Sequence, residues 1–240
     1  MLDSLATTPK AVAGNGAIAR PKMSYAEYLQ WADEDTHSEW VDGEVFIFMA
    51  TKPIHQFTLE FLHLLLRYFV DLFHLGQVHV APFEALLRSG RSSREPDIFF
   101  VAQANLHRIS KDRLVGPPDL IVEIVSAESV QRDRLEKFRE YQQVGVQEYW
   151  VIDPRPGKQR ADFFRLNDEG EYDLFGTEDD ERVASVVLPG FWLRPDWLWQ
   201  ANTLDPFTVF CEMAGLPESF AAQVRQQLQA GFDTLRGLGD

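Results

Sequence analysis

The sequence predicts an α/β domain. Three observations support that class. Residues Pro117 to Trp150 read as strand, helix, strand in succession. Ile54, Phe57, Phe61, Leu62, Leu64, Leu65, Phe69 and Leu72 recur at helical spacing over a long stretch. Short apolar runs bounded by Gly, Pro and acidic residues flank both regions, as strands between turns do.

Taken in order, residues from Met1 to about Arg20 are small and polar with Gly and Pro, and are expected to form a disordered arm. Ser24 and Glu27 have the spacing of a capping box, so a short helix should run to about Asp33. Glu39 to Ala50 splits around Asp42-Gly43, a hairpin signal. Thr51 can cap the long helix, Pro53 suits its first turn, and Gly76 sits where a C-terminal glycine belongs. Gln77 to Ala81 and Phe83 to Leu87 read as strands, Pro96 to Val101 begins another, and Arg88 to Arg94 is a polar, basic loop. Leu106 to Gly116 reads as a loop or short helix.

Leu120 to Val125 is a near-continuous β-branched run, as in a strand buried on both faces. The helix that follows is expected over Arg132 to Gln143, with Leu135, Phe138 and Tyr141 as its buried stripe and Gly145 as its stop. Strands follow at Gln147 to Ile152, Arg160 to Leu166, Tyr172 to Phe175 and Val183 to Leu188. The aromatic run Trp192, Trp197 and Trp199 suits a core better than a base-stacking platform. Beyond Leu204, Phe220, Val224, Leu228 and Phe232 recur every four residues and predict an amphipathic helix to about Leu235.

Composition narrows the function. The 240 residues contain a single cysteine, Cys211, which excludes an internal disulfide and a cysteine zinc cluster and suits a reducing cytoplasm. No secretory signal or membrane-spanning stretch is evident. A net charge of −14 opposes general attraction to nucleic acid, but bound divalent cations and a local basic patch can reverse the sign at one place.

One residue breaks the buried run, Glu123. A carboxylate there is costly unless paired, protonated or bound to a metal. Asp97, at the start of an apolar strand after Pro96, is its candidate partner if the two strands are neighbours. Two such carboxylates, with a backbone carbonyl and waters, make an oxygen-ligand Mg²⁺ site able to activate water and neutralise a phosphodiester. The lysine that such chemistry needs is not two residues after Glu123, where Val125 stands; Lys137 is the candidate, on the flank of the next helix. Other readings stand beside these. Glu123 can be a buried acid paired with an arginine, Asp97 can open a turn, and Lys137 with Asp133 can be a surface i,i+4 ion pair. Asp119 reads as a residue that opens a strand or turn. Arg88, Arg91 and Arg94 form either a phosphate-contacting patch or a solvated loop.

The ordered set Glu39-x-Val-Asp-Gly-Glu44, Pro53-x-His55, Pro96-Asp97, Pro118-Asp119-Leu-Ile-Val-Glu123, Asp133-x-x-x-Lys137 and Gly145-Val-x-Glu-Tyr-Trp150 resembles the Uma-two family of endonucleases, within the PD-(D/E)XK nuclease superfamily. The similarity covers roughly Met23 to Gln200. It implies a restriction endonuclease-like mixed sheet flanked by helices and Mg²⁺-dependent phosphodiester hydrolysis, with Mn²⁺ as a substitute. It also implies Asp97 and Glu123 as metal ligands, Lys137 as the displaced catalytic lysine, Glu39 as an accessory acid and a site-facing role for His55. The expected organisation is an arm over 1–21, a nuclease-like domain over 22–203 and a helical extension over 204–240. DNA is the expected substrate and a homodimer the expected assembly. A nuclease fold that binds nucleic acid or protein without cutting, or a hydrolase of a small phosphorylated substrate, are the alternatives.

Overall fold

The computed structural model describes residues 21–32, 38–47, 52–127 and 129–237. The expected N-terminal arm and the Thr51 cap lie outside these residues, apart from Pro21, whose carbonyl accepts a hydrogen bond from Val45 N.

The chain begins with α1 (Tyr25–Trp31), closed by the Ser24–Glu27 capping box. The hairpin β1 (Ser38–Val41) and β2 (Glu44–Ile47) turns at Asp42-Gly43, both with positive φ, as a primed turn requires. Helix α2 (Pro53–Phe73) is followed by β3 (Gly76–Val80), β4 (Ala85–Arg88), β5 (Ser92–Arg94) and β6 (Ile98–Ala102). A 3₁₀ turn over Gln103–Arg108 leads to β7 (Leu114–Val115) and β8 (Leu120–Ile124). A π-helical turn over Arg132–Lys137 then runs into α3 (Phe138–Val144). Strands β9 (Glu148–Asp153), β10 (Arg160–Leu166), β11 (Tyr172–Thr177), β12 (Val183–Ala184) and β13 (Trp192–Leu193) precede α4 (Pro195–Leu198), α5 (Pro206–Met213) and α6 (Glu218–Gly237).

The central sheet has six strands in the order β11-β10-β9-β8-β6-β3 and is mixed: β8 runs parallel to β9 and antiparallel to β6. A second sheet, β2-β1-β5-β4-β7, has five strands. Alternation along each strand assigns the central sheet's side chains to two cores. Leu120, Val122, Ile98, Phe100, Trp150 and Ile152 pack on one face, with α2 and the segment from β12 to α5. Ile121, Val125, Phe99, Val101, Tyr149 and Val151 pack on the other, with Tyr141 of α3 and with Ala85, Leu87 and Leu114 of the second sheet. The central sheet is therefore covered on both faces, which is why β8 reads as a continuous apolar run. Gly76 permits the start of β3: a Cβ there would lie 2.0 Å from the Val101 carbonyl oxygen of β6.

Several boundaries differ from expectation. The Arg88 to Arg94 stretch is a β4–β5 hairpin rather than a free loop, and the Val183 to Leu188 strand shortens to β12. Helix α5, within the stretch expected as a helical extension, buries Val209, Phe210 and Met213 in the first core. Trp197 is buried in that core too, and Trp192 and Trp199 pack against it. Among the described residues, no helix is long and apolar enough to cross a membrane.

Candidate functional site

The site is assembled on the second face of the central sheet. Register places Ile98 opposite Val122, so one step further along the antiparallel pair sets Asp97 beside Glu123. Alternation turns both side chains to the α3 face, with Ile121, Phe99 and Val125. Asp97 Oδ2 accepts from Ile124 N at 2.7 Å and faces His55 Nε2 at 3.2 Å. His55 comes from the first turn of α2 and is itself buried.

Glu123 is 3% exposed. Its Oε1 accepts from Lys137 Nζ at 2.8 Å and from Tyr141 Oη at 2.7 Å. Lys137 also lies 3.2 Å from Glu39 Oε1 and 3.7 Å from Asp133 Oδ1. Glu39, wholly buried on β1, accepts from Arg94 Nη1 at 2.9 Å on its other oxygen. Arg94 in turn donates to Glu140 Oε2 through Nε at 2.8 Å and Nη2 at 2.5 Å.

The electrostatics follow from burial among these partners. Burial pushes the Glu123 carboxyl up to about 8; Lys137 opposes the rise, and Asp133, Asp97 and Glu39 add to it. Asp133 is also raised, by burial first, against the pull of Lys137. Burial would raise Glu39 as well, but Lys137, Arg94 and Arg132 outweigh it and hold the group down at about 2. Lys137 is raised: burial disfavours its charge, but Glu123, Glu39 and Asp133 more than compensate. At neutral pH, then, Glu39 is an anion, Lys137 a cation, and Glu123 is the group poised near its titration point.

The residues fit a hard divalent cation. The hydrogen bonds that Asp97 and Glu123 accept from described residues fall on one oxygen of each carboxylate, Oδ2 and Oε1. Oδ1 and Oε2 remain as oxygen donors. Among the described residues, no group of three or more His, Cys, Asp and Glu forms a ready-made cage.

Not every expected site residue joins this cluster as expected. Lys137, placed at the flank of its helix by the sequence, is 3% exposed, whereas Leu135, expected in the stripe, is 49% exposed. The cause is the π-helical turn, whose wider winding shifts the helical phase. The inward set is Asp133, Lys137 and Tyr141, spaced by four, and that spacing is the signal by which Asp133 and Tyr141 could have been found. The Asp133–Lys137 pair is buried rather than a surface pair. The three arginines do not form one patch. Arg88 donates to Gln143 Oε1 at 2.5 Å, Arg91 is exposed and 3.4 Å from Asp42, and Arg94 is 2% exposed and committed to Glu39 and Glu140. Asp119 accepts from Ala102 N and Asn105 Nδ2, each at 2.7 Å, and so tethers the start of β8.

Residues 25–196, more than half of the chain, match the family Uma2, described as "Putative restriction endonuclease". The chain belongs to the Uma2 family. No curated protein matches it. Among solved structures it is similar to a protein from Anabaena variabilis ATCC 29413 described as "a putative nuclease belonging to DUF820". The two share 17% identity at a TM-score of 0.62, over 75% of this chain and 98% of the other. At that identity the likeness concerns the fold: a mixed sheet flanked by helices, as expected for a restriction endonuclease-like domain. The Uma2 match ends within α4, and α5 and α6 lie beyond the matched residues.

Proposed function

We propose that this Uma2 chain is a Mg²⁺-dependent endonuclease that hydrolyses DNA phosphodiester bonds, with Mn²⁺ as a substitute ion. The observation that carries the reading is the meeting of Asp97 and Glu123 at neighbouring strands, with Lys137 Nζ 2.8 Å from Glu123. Asp97 and Glu123 would hold the ion. When bound, it supplies a Lewis acid for a phosphate oxygen and an activated water.

The remaining tasks belong to the side chains. His55 and Ile124 N fix one oxygen of Asp97, so the carboxylate needs little reordering to use the other. Lys137 is raised and stays protonated, so it acts as a fixed cation beside the developing phosphate charge and not as a base. Glu39 anchors that cation. Arg91, exposed at the hairpin turn, remains available to a phosphate, whereas Arg94 is not. DNA as substrate follows the description of the family. In α6, Phe220, Leu228 and Phe232 are 38%, 68% and 55% exposed. A second copy of the chain is the proposed cover for that stripe.

A second reading, a nuclease-fold module that binds without cutting, is favoured by the near-complete burial of Glu123 under Lys137 and Tyr141. Supercoiled plasmid incubated with Mg²⁺, with Mn²⁺ or with EDTA separates the two. Nicking or linearisation that requires the ion and is lost in Asp97→Asn supports the enzyme. Intact plasmid under all conditions sinks it, and equal cutting by Asp97→Asn removes Asp97 from the site.

A further inference from the structure

Charges of alternating sign run from Glu140 of α3 through Arg94 and Glu39 of the five-stranded sheet to Lys137 and Glu123, the last four of them buried. The links are 2.5 Å from Arg94 to Glu140, 2.9 Å from Arg94 to Glu39, 3.2 Å from Glu39 to Lys137 and 2.8 Å from Lys137 to Glu123. Arg94 stands between Glu140 and Glu39, 2% exposed, with a fork that no single-point cation can reproduce. From these contacts we infer that Arg94 is a positioning residue: by gripping Glu39 from β5 it sets where the Lys137 ammonium sits against Glu123. The inference rests on the nuclease reading for its kinetic consequence, and on geometry alone for its effect on Lys137.

The physical reason is the degeneracy of a lysine. Its ammonium carries three donors on a flexible stem and has no preferred direction of its own. Glu123 Oε1 is shared with Tyr141, and Asp133 is at the longer distance of 3.7 Å. Glu39 therefore supplies the second close carboxylate. Glu39 itself is held by Arg94 on one oxygen, and on the other by Glu95 N at 3.2 Å beside Lys137. Without the guanidinium, the Glu39 carboxylate can rotate, and the ammonium follows it. An error near 1 Å in such a group is worth roughly a hundredfold in rate.

The variants are Arg94→Met, and Arg94→Lys, which keeps the buried charge and guards against a failure to fold. Single-turnover plasmid cleavage should slow roughly a hundredfold in the first and about tenfold in the second. The dissociation constant for DNA and its salt dependence should stay within about twofold. A second readout needs no cleavage: the Lys137 ammonium signal in a ¹⁵N spectrum of lysine side chains, assigned by its loss in Lys137→Arg, should shift in Arg94→Lys. Weakened binding with a flatter salt slope would make Arg94 a phosphate contact and overturn the inference. So would wild-type cleavage by a folded Arg94→Met, or an unmoved Lys137 signal. A wild-type protein that cuts nothing while Arg94→Lys moves that signal would overturn the nuclease reading and leave the positioning intact.

Discussion

Replacing Glu123 with Gln should stabilise the metal-free protein, increasingly so as pH rises. The carboxamide has the same shape, and its oxygen can still accept from Lys137 and Tyr141. What disappears is a charge that the fold disfavours. The Glu123 carboxyl rises from its ordinary 4.5 to about 8, through burial and the nearby Asp133, Asp97 and Glu39, with Lys137 opposing. A folded-state value above the unfolded one means that the native protein binds the extra proton. Its stability contribution is intact below about 4.5, is lost across the window up to about 8, and stays lost above it.

Between pH 5 and pH 9 the wild type should lose roughly 4 kcal/mol that Glu123→Gln does not lose, taking about 1.36 kcal/mol per pKa unit. For a chain of this size the melting temperatures should then separate by roughly 8–16 °C more at the alkaline end than at the acid end. Thermal melts of both proteins in EDTA at closely spaced pH values measure that gap. A gap that stays flat from pH 5 to pH 9 would refute the reasoning, because Glu123 would then ionise in the fold as freely as in the open chain. With Mn²⁺ added at pH 8, the wild type should recover stability by binding the ion in its native state, and Glu123→Gln should not.

The other predictions are briefer. Lys137→Met should keep a Mn²⁺-dependent rise in melting temperature yet slow single-turnover cleavage by about a hundred- to a thousandfold. It should also cost about 3–5 kcal/mol in a denaturant titration, because Glu39, Glu123 and Asp133 lose a shared buried counter-ion. Arg91→Ala should change stability by less than about 1 kcal/mol, since its pair with Asp42 is exposed. If Arg91 meets the phosphate backbone, the same variant should flatten the salt dependence of DNA binding by close to one ion. Ending the chain after Pro217 removes α6 while leaving the buried side chains of α5 in the core. Sedimentation should then show a fall from dimer to monomer; an unchanged mass would show that α6 does not join two copies.

Local signals in the chain determined much of this protein. The Ser24–Glu27 box, the Asp42-Gly43 turn, the apolar periodicity of α2 and the buried run of β8 each depend on a few adjacent residues, and each appears where the sequence put it. Glu123 was conspicuous for the same reason: a charge within an apolar strand contradicts its own surroundings. The Asp97–Glu123 neighbourhood needed one further fact, that β6 pairs with β8, which no local pattern specifies.

Tertiary structure alone decided how the charges are shared. The three arginines look alike along the chain, yet Arg91 faces outward and Arg94 lies inside, because β5 pairs with β1 and brings Arg94 against Glu39, 55 residues away. At 3.6 residues per turn Lys137 falls on the flank of its helix; the π-helical turn shifts that phase and carries Asp133 and Lys137 inward, beside Glu123. Burial then turned an ordinary i,i+4 pair into part of a coupled charge cluster. Its protonation depends on partners from β1, the residue before β6, β8 and the π-helical turn, and so on the whole assembly rather than on any one segment.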